Sequence, residues 1–209
     1  MNSLARNLGR LIAANSTSHH DEDVLRYGLE VFLGGFLQFL LLIVIGWSLR
    51  LLPELLTVLV SFSLFRRLAG GAHCNTYLVC TIAGLISFPI LAYLCHVISY
   101  QYFEAYLLIV ASFSLVTVYF KAPLDTETKP VKDSQKRLRL KISAACLVVF
   151  LLIAAQYCHW VGQDLIAIAI LLGIFYQTLT MTRLGAIYMR FYDFILSNRW
   201  VNNLGKEET

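Results

Sequence analysis

The stretch SLFRRLAGGAHCNTYLVCTIAG, Ser63 to Gly84, places polar and reactive side chains between segments that are otherwise apolar. Two arginines, two adjacent glycines, a histidine and two cysteines fall within it: Arg66, Arg67, Gly70, Gly71, His73, Cys74 and Cys80. Adjacent glycines reach backbone angles closed to other residues, so they predict a break in helical structure before Cys80. Asn75 is a suitable N-cap for a helix beginning at TYLVC.

The composition around this stretch is that of a membrane protein. Hydrophobic residues make up 58% of the 209 residues and charged residues 14%, and the mean hydropathy is +0.66. Such a chain could hardly cover a water-soluble surface, so we expect an all-α membrane protein. Its five cysteines are an odd number spread through apolar segments, which is not typical of a disulfide framework.

The apolar segments predict about six transmembrane helices. Val31 to Leu49 carries no charge and would span about 28 Å, close to the hydrocarbon thickness of a bilayer. Pro53 to Phe65 is shorter and ends at Arg66, so it predicts a short or irregular span. The other four are expected at about Thr76 to Ser99, with a bend near Pro89, and at Ala105 to Phe120, Ile142 to Trp160 and Leu165 to Thr182.

Residues 1–209 are expected to form a single membrane domain with three polar regions. Met1 to Tyr27 has leucines at helical spacing and no apolar signal-peptide core, so it predicts an amphipathic helix on the membrane surface. Lys121 to Lys141 predicts a basic loop outside the membrane, and residues 183–209 predict a polar tail. With both termini inside, 16 of the 17 basic residues are cytoplasmic and only Arg50 is outside.

His73 and Cys80 are candidates for a catalytic pair, because a thiolate is the reactive form of cysteine and an imidazole can act as its base. On one continuous helix, residues seven apart lie about 10 Å apart along the axis, so the pair can meet only if the backbone before Cys80 is not helical. Cys74 is a competing nucleophile. A metal site of His73, Cys74 and Cys80 is a further alternative, although it lacks a fourth ligand and a familiar spacing.

Other polar residues inside the predicted spans have simpler interpretations. His96 and His159 lie near the predicted outer ends and are expected at the interface rather than as ligands. Three glutamines are expected to bond between helices: Gln38, Gln156 and Gln177.

In these residues and their spacing, the sequence resembles the accessory gene regulator protein B family. The family pattern of two arginines, two residues, two glycines, one residue, histidine, six residues and cysteine is matched without a gap from Arg66 to Cys80. A second block, an Ala-Pro pair followed by acidic and polar residues, Lys-Pro and a basic stretch, is matched by Ala122, Pro123, Asp125, Lys129, Pro130 and Lys136 to Lys141.

The resemblance implies a membrane thiol protease of Gram-positive quorum sensing, a cysteine endopeptidase with Cys80 as nucleophile and His73 as base. It implies cleavage of a short peptide precursor through a cysteine acyl-enzyme, and cyclisation of the product to a thiolactone or lactone autoinducing peptide. The precursor would carry an amphipathic N-terminal helix and an acidic C-terminal part, with substrate-binding residues Arg66, Arg67, Gly70, Gly71 and Lys129. The resemblance implies no cofactor, metal or nucleic acid. Besides the precursor, the lipid bilayer is the expected partner. A homodimer is possible, and the resemblance does not decide it.

A non-enzymatic transporter or permease subunit is the rival interpretation, in which the histidine and cysteine are incidental. Acidic side chains near the middle of a span would favour it. The acidic residues closest to the predicted spans instead lie at their ends: Glu30, Glu54, Glu104 and Asp164.

Overall fold

The computed structural model describes residues 19–72, 74, 76–124 and 133–204 of the chain, with the side chains of 19–31, 77 and 196–204 left out. In these residues the protein is α-helical without a strand. The helices are α1 (His19–Leu49), α2 (Leu52–Ala69), α3 (Tyr77–Val97), α4 (Phe103–Lys121), α5 (Ser134–Trp160), α6 (Asp164–Thr180) and α7 (Arg183–Leu204), with a short 3-10 turn at Tyr100–Tyr102 before α4.

Several of these helices can cross a bilayer. Four are long and apolar enough in the described residues, and their apolar stretches are Phe32–Leu49, Leu78–Val97, Tyr100–Lys121 and Ser134–Trp160. A fifth is counted if α6 and α7, which meet at an angle of 82°, form one broken span. The expectation of an all-α membrane protein is confirmed, with fewer candidate spans than the six predicted. The predicted short span corresponds to α2, whose 18 residues include Glu54, Arg66 and Arg67.

The helices α2 and α6 lie at the centre of the bundle. Ten of the 17 residues of α6 are buried, on all sides of the helix, as expected for one enclosed by others. The two helices approach closely at Gly173, where a Cβ atom would stand 2.8 Å from the Val58 carbonyl oxygen. Large apolar side chains point outward from the surrounding helices, among them Phe32, Phe120 and Trp160. In a membrane protein this outward apolar surface faces lipid.

Three polar contacts lie at the ends of the helices away from the Gly-Gly segment. Glu54 is buried and its Oε1 lies 3.3 Å from His96 Nε2. His159 contacts Asp164 at the turn between α5 and α6, and Gln156 donates to Glu104 at 2.9 Å. Both histidines therefore lie at helix ends, as expected, and each is paired with a carboxylate.

The structure differs from the sequence-based expectation in two polar regions. The helix α5 begins at Ser134, inside the stretch predicted as a loop, because the Asp133 side chain accepts from the Gln135 N–H at 2.9 Å and caps it. Arg183–Leu204, predicted as a tail, forms α7. Within the predicted surface helix, residues 19–27 are the first turns of α1, whereas residues 1–18 lie outside the described residues.

Candidate active site

The site is built where α2 ends. Gly70 caps this helix, with its N–H donating to the Arg66 carbonyl at 2.9 Å and a φ of 72°, a backbone angle that favours glycine. A Cβ atom at Gly70 would stand 2.5 Å from the Leu124 carbonyl oxygen. The Leu124 N–H in turn donates to the Ala69 carbonyl at 2.8 Å. The Gly-Gly segment is thus packed against the residues that follow the Ala-Pro pair.

Arg66 fixes the segment that follows. Its Nη2 donates to the Ala72 carbonyl at 2.7 Å and its Nη1 to Thr180 Oγ1 at 3.4 Å. The guanidinium carbon also lies 5.5 Å from the centre of the Phe62 ring, within the range of a cation–π contact. One planar side chain therefore connects α2, the segment after it and the end of α6.

The end of α6 supplies further hydrogen bonds to this segment. The Ala72 N–H donates to the Thr180 carbonyl at 3.0 Å, and the Gln177 amide donates to the Gly70 carbonyl. The space is tight, because a Cβ atom at Gly71 would stand 2.8 Å from Thr180 Oγ1 and 3.0 Å from Arg66 Nη1. We conclude that the glycine pair lets the backbone lie directly on α6.

Cys80 lies in the first turns of α3, after a stretch that is not helical. Thr76 is the N-cap of this helix, since its side chain accepts from the Val79 N–H at 3.4 Å, so the predicted cap at Asn75 was wrong by one residue. The Cys80 N–H makes the first helical bond, to the Thr76 carbonyl at 3.2 Å. The predicted break before Cys80 is confirmed by the non-helical backbone of Gly70–Ala72, Cys74 and Thr76. A helix N-terminus favours a nearby thiolate.

Cys74 lies beside Cys80 and is half-buried. A hydrogen bond with Cys80, together with burial, raises the pKa of the Cys74 thiol well above its usual range. The Cys74 Sγ also lies 3.5 Å from Met189 Sδ of α7. The positive charge of Arg66 is close enough to interact electrostatically with both thiols.

A cavity of about 340 Å³ opens next to Cys80 between α1, α2 and α3. Arg66 and Cys80 provide its charged and reactive groups, and most of the remaining wall is apolar. It is lined by Gly35, Gln38, Phe39, Leu42, Leu59, Phe62, Ser63, Arg66, Cys80, Ala83, Gly84, Phe88, Tyr176 and Met189. This volume is within the range of clefts that bind small ligands or a few residues of a peptide.

The predicted site residues fall into three groups. Arg66, Gly70, Gly71, Cys74 and Cys80 are brought together as described. Arg67 is exposed and is not among the residues that line the cavity. His73 and Lys129 lie outside the described residues, so the pairing of His73 with Cys80 stays a prediction, as does the metal alternative that depends on His73. Substrate binding by Arg66, Gly70 and Gly71 also stays a prediction. The contacts that these residues make in the structure are within the protein and position the segment between α2 and α3.

Sequence reasoning missed several residues of the site. Gln177 and Thr180 form hydrogen bonds that position the segment between α2 and α3. They could have been noticed in the sequence as two polar residues near the end of an otherwise apolar helix. Gln38 was predicted to bond between helices but faces the cavity instead. Met189 carried no signal, because its position beside Cys74 depends on how α7 folds back over α3.

The fold and the site define a multi-pass α-helical membrane protein with paired thiols beside a half-buried arginine. The sequence profile of the family described as accessory gene regulator B matches residues 1–181. The chain belongs to this family, which is a family of accessory gene regulation and quorum sensing.

Individual relatives agree with the family assignment. A putative AgrB-like protein of Clostridium perfringens is 26% identical, covering 91% of this chain and 97% of the relative. Accessory gene regulator protein B of Staphylococcus lugdunensis is 28% identical over 78% of this chain and 88% of its own. The protein FsrB of Enterococcus faecalis is 24% identical over 83% of this chain and 72% of its own. No solved structure matches the chain significantly.

Proposed function

We propose that this protein is a membrane cysteine endopeptidase that cleaves a quorum-sensing propeptide and cyclises the product. The observation that carries the proposal is the placement of Cys80. It lies at the start of a helix, on the wall of a cavity, next to a second thiol and near the charge of Arg66. Structural cysteines in apolar helices are normally inert, whereas reactive cysteines lie near helix N-termini and positive charges.

The chemistry proceeds in two acyl transfers. The Cys80 thiolate attacks the carbonyl carbon of the scissile peptide bond, and the leaving amine takes a proton from His73, the base that the family resemblance implies. The resulting thioester holds the N-terminal part of the precursor on Cys80. A cysteine or serine side chain of that peptide then gives its proton to His73 and attacks the thioester, which releases a thiolactone or lactone and regenerates the Cys80 thiolate and the protonated His73.

The apolar cavity fits the second transfer. Hydrolysis competes with ring formation whenever water reaches the thioester, and the apolar lining keeps water away from the acyl group. Exchange of one thioester for another is nearly neutral in free energy, so no cofactor is needed to drive it. The cleaved acidic C-terminal part has basic partners available at this end of the molecule, because Lys136, Arg137, Arg139 and Lys141 lie in the first turns of α5.

We further propose that the site faces the cytoplasm, with both termini on that side of a Gram-positive cell membrane. The support is the distribution of basic residues given above. In a variant whose natural cysteines are replaced by serine, Gln163→Cys should react with an impermeant maleimide in intact cells, whereas Lys136→Cys should react only after permeabilisation. The opposite labelling pattern would reverse the orientation.

The transporter alternative gains no support from the acidic residues. Among the side chains that the structure describes, Glu54, Glu104 and Asp164 lie within the first turn of their helices, and none of the helices that could span the bilayer has a carboxylate near its middle. Coupling ions and substrates of transporters are commonly bound by such mid-span charges.

Product analysis tests the proposed function. The purified protein in lipid nanodiscs is incubated with a synthetic precursor that has a central cysteine, and the products are analysed by mass spectrometry. We expect a C-terminal fragment and a second product lighter by one water than the linear N-terminal peptide, which identifies the ring. Release of the linear peptide alone would show a simple protease, and an unchanged precursor would remove the enzymatic proposal.

A further inference from the structure

Gln38 is a polar side chain on the cavity wall, in the middle of the uncharged part of α1. It lies on the face of α1 that also carries Gly35, Phe39 and Leu42, and this face lines the same cavity as Cys80. The Gln38 amide packs against Gly84, and a methyl group at Gly84 would overlap Gln38 Nε2. The absence of a side chain at Gly84 therefore creates the space that the amide occupies.

The Gln38 amide has no hydrogen-bond partner within the part of the chain that the structure describes. The two other glutamines of the apolar segments do have partners: Gln156 donates to Glu104 and Gln177 donates to the Gly70 carbonyl. Gln38 is half-buried, and its side chain lines the cavity. Polar side chains within membrane segments commonly face a cavity and serve function, so this amide points to a ligand that accepts its hydrogen bond.

Gly84 lies one turn after Cys80 on the same face of α3, and residues four apart on a helix have Cβ atoms about 5–6 Å apart. In the acyl-enzyme, the acyl oxygen is two bonds away from the Cys80 sulfur, through the carbonyl carbon. The Gln38 amide lies over Gly84, and Gln38, Gly84 and Cys80 line the same cavity, so the amide is within about one helical turn of an acyl group on Cys80.

We infer that Gln38 donates a hydrogen bond to the carbonyl oxygen of the scissile bond as that oxygen becomes an oxyanion. This inference rests on the proposed function. When the Cys80 sulfur bonds to the carbonyl carbon, the π electron pair moves to oxygen, and the amide N–H stabilises the negative charge. When the carbon–nitrogen bond breaks, the pair returns to form the thioester carbonyl and the amine leaves protonated. The same donor serves the second transfer.

The test compares a reaction that forms an oxyanion with one that does not. Removing one donor of this kind lowers kcat by about 10²- to 10³-fold, so Gln38→Ala should lower kcat for precursor cleavage by that factor with KM changed by less than about threefold. Alkylation of Cys80 by iodoacetamide is a direct displacement at carbon without an oxyanion. Its rate, followed on the Cys80 peptide by mass spectrometry, should stay at the wild-type value.

Matched variants separate this role from a general effect on the protein. Gln38→Glu keeps the size of the side chain but replaces the donor by a carboxylate, so it should lose at least as much activity as Gln38→Ala. Gly84→Ala displaces the amide and should lower kcat similarly, with no further loss in the double variant. Gln101→Ala, an exposed amide at the opposite end of the helices, should behave as wild type.

The outcomes distinguish this inference from the proposed function. If Gln38→Ala cleaves at the wild-type rate while Cys80→Ala is inactive, the oxyanion role is wrong and the peptidase proposal stands. If alkylation slows as much as cleavage, Gln38 acts on the thiol or the fold, and the oxyanion role is again wrong. If Cys80→Ala still cleaves the precursor, the proposed function itself fails.

Discussion

Cys80→Ala will lose precursor cleavage by at least about 10⁴-fold, whereas Cys74→Ala will lose only about fivefold. The first loss follows because no other group can form the acyl intermediate once the nucleophile is gone. Cys74 is a neighbouring thiol that shares a hydrogen bond with Cys80. Removing one such bond costs about 1 kcal/mol, which corresponds to a fall in rate of about fivefold. Initial rates of fragment release measured by mass spectrometry give both values.

His73→Ala provides the companion test for the catalytic pair. Residues that act as a unit show strongly non-additive losses, so the double variant of His73 and Cys80 should be no worse than Cys80→Ala alone. An inactive Cys74→Ala together with an active Cys80→Ala would exchange the roles of the two thiols. That result would also make the proximity of Arg66 to Cys80 irrelevant to the chemistry.

Arg66→Ala will lower kcat by about 10²-fold or more, whereas Arg67→Ala will have little effect. Arg66 holds the segment between α2 and α3 through the Ala72 carbonyl and Thr180 Oγ1, and a displacement of about 1 Å in a catalytic group can cost 10²-fold in rate. The variant also leaves the part-buried Ala72 carbonyl without this donor, at about 1 kcal/mol of stability. Because the side chain of Arg67 is exposed, we expect Arg67→Ala to change the free energy of unfolding by no more than about 0.5 kcal/mol.

Arg66→Lys distinguishes the shape of the side chain from its charge. A lysine keeps the positive charge, but its single ammonium cannot reproduce the planar fork that reaches Ala72 and Thr180 together, so we expect it to resemble Arg66→Ala. Thermal unfolding in nanodiscs and kcat are measured on the same preparations. A fully active Arg66→Lys would show that Arg66 contributes only its charge, and the positioning role would be withdrawn.

The helical class and the break before Cys80 could be predicted because both depend on local sequence. Long apolar runs specify membrane helices, and two adjacent glycines interrupt a helix wherever they occur. The pattern from Arg66 to Cys80 drew attention to a segment whose ends, Arg66 and Cys80, line a cavity in the structure. The start of α3 was misplaced by only one residue, because Asn75 and Thr76 are both good N-caps.

The remaining features depend on contacts between residues far apart in the chain. Gly70 meets Leu124, and Arg66 meets Thr180, across long stretches of sequence. No local periodicity encodes such pairs. The segment around α7 was predicted as a tail because its charged residues interrupt its apolar pattern, yet Met189 of that helix contacts Cys74. The start of α5 was missed because its basic residues were interpreted as loop, although lysine, arginine and leucine are good helix formers.

The most direct test of the central claim is to trap the acyl group on the enzyme. A precursor whose ring-forming cysteine or serine is changed to alanine can be cleaved but cannot cyclise, so the acyl group should remain on the protein. Intact-mass spectrometry should show a covalent adduct equal to the N-terminal part of the precursor less one water, located on Cys80 and released by hydroxylamine. If linear peptide is released in normal amounts with no adduct detected, transfer from an enzyme thioester to a peptide ring is contradicted.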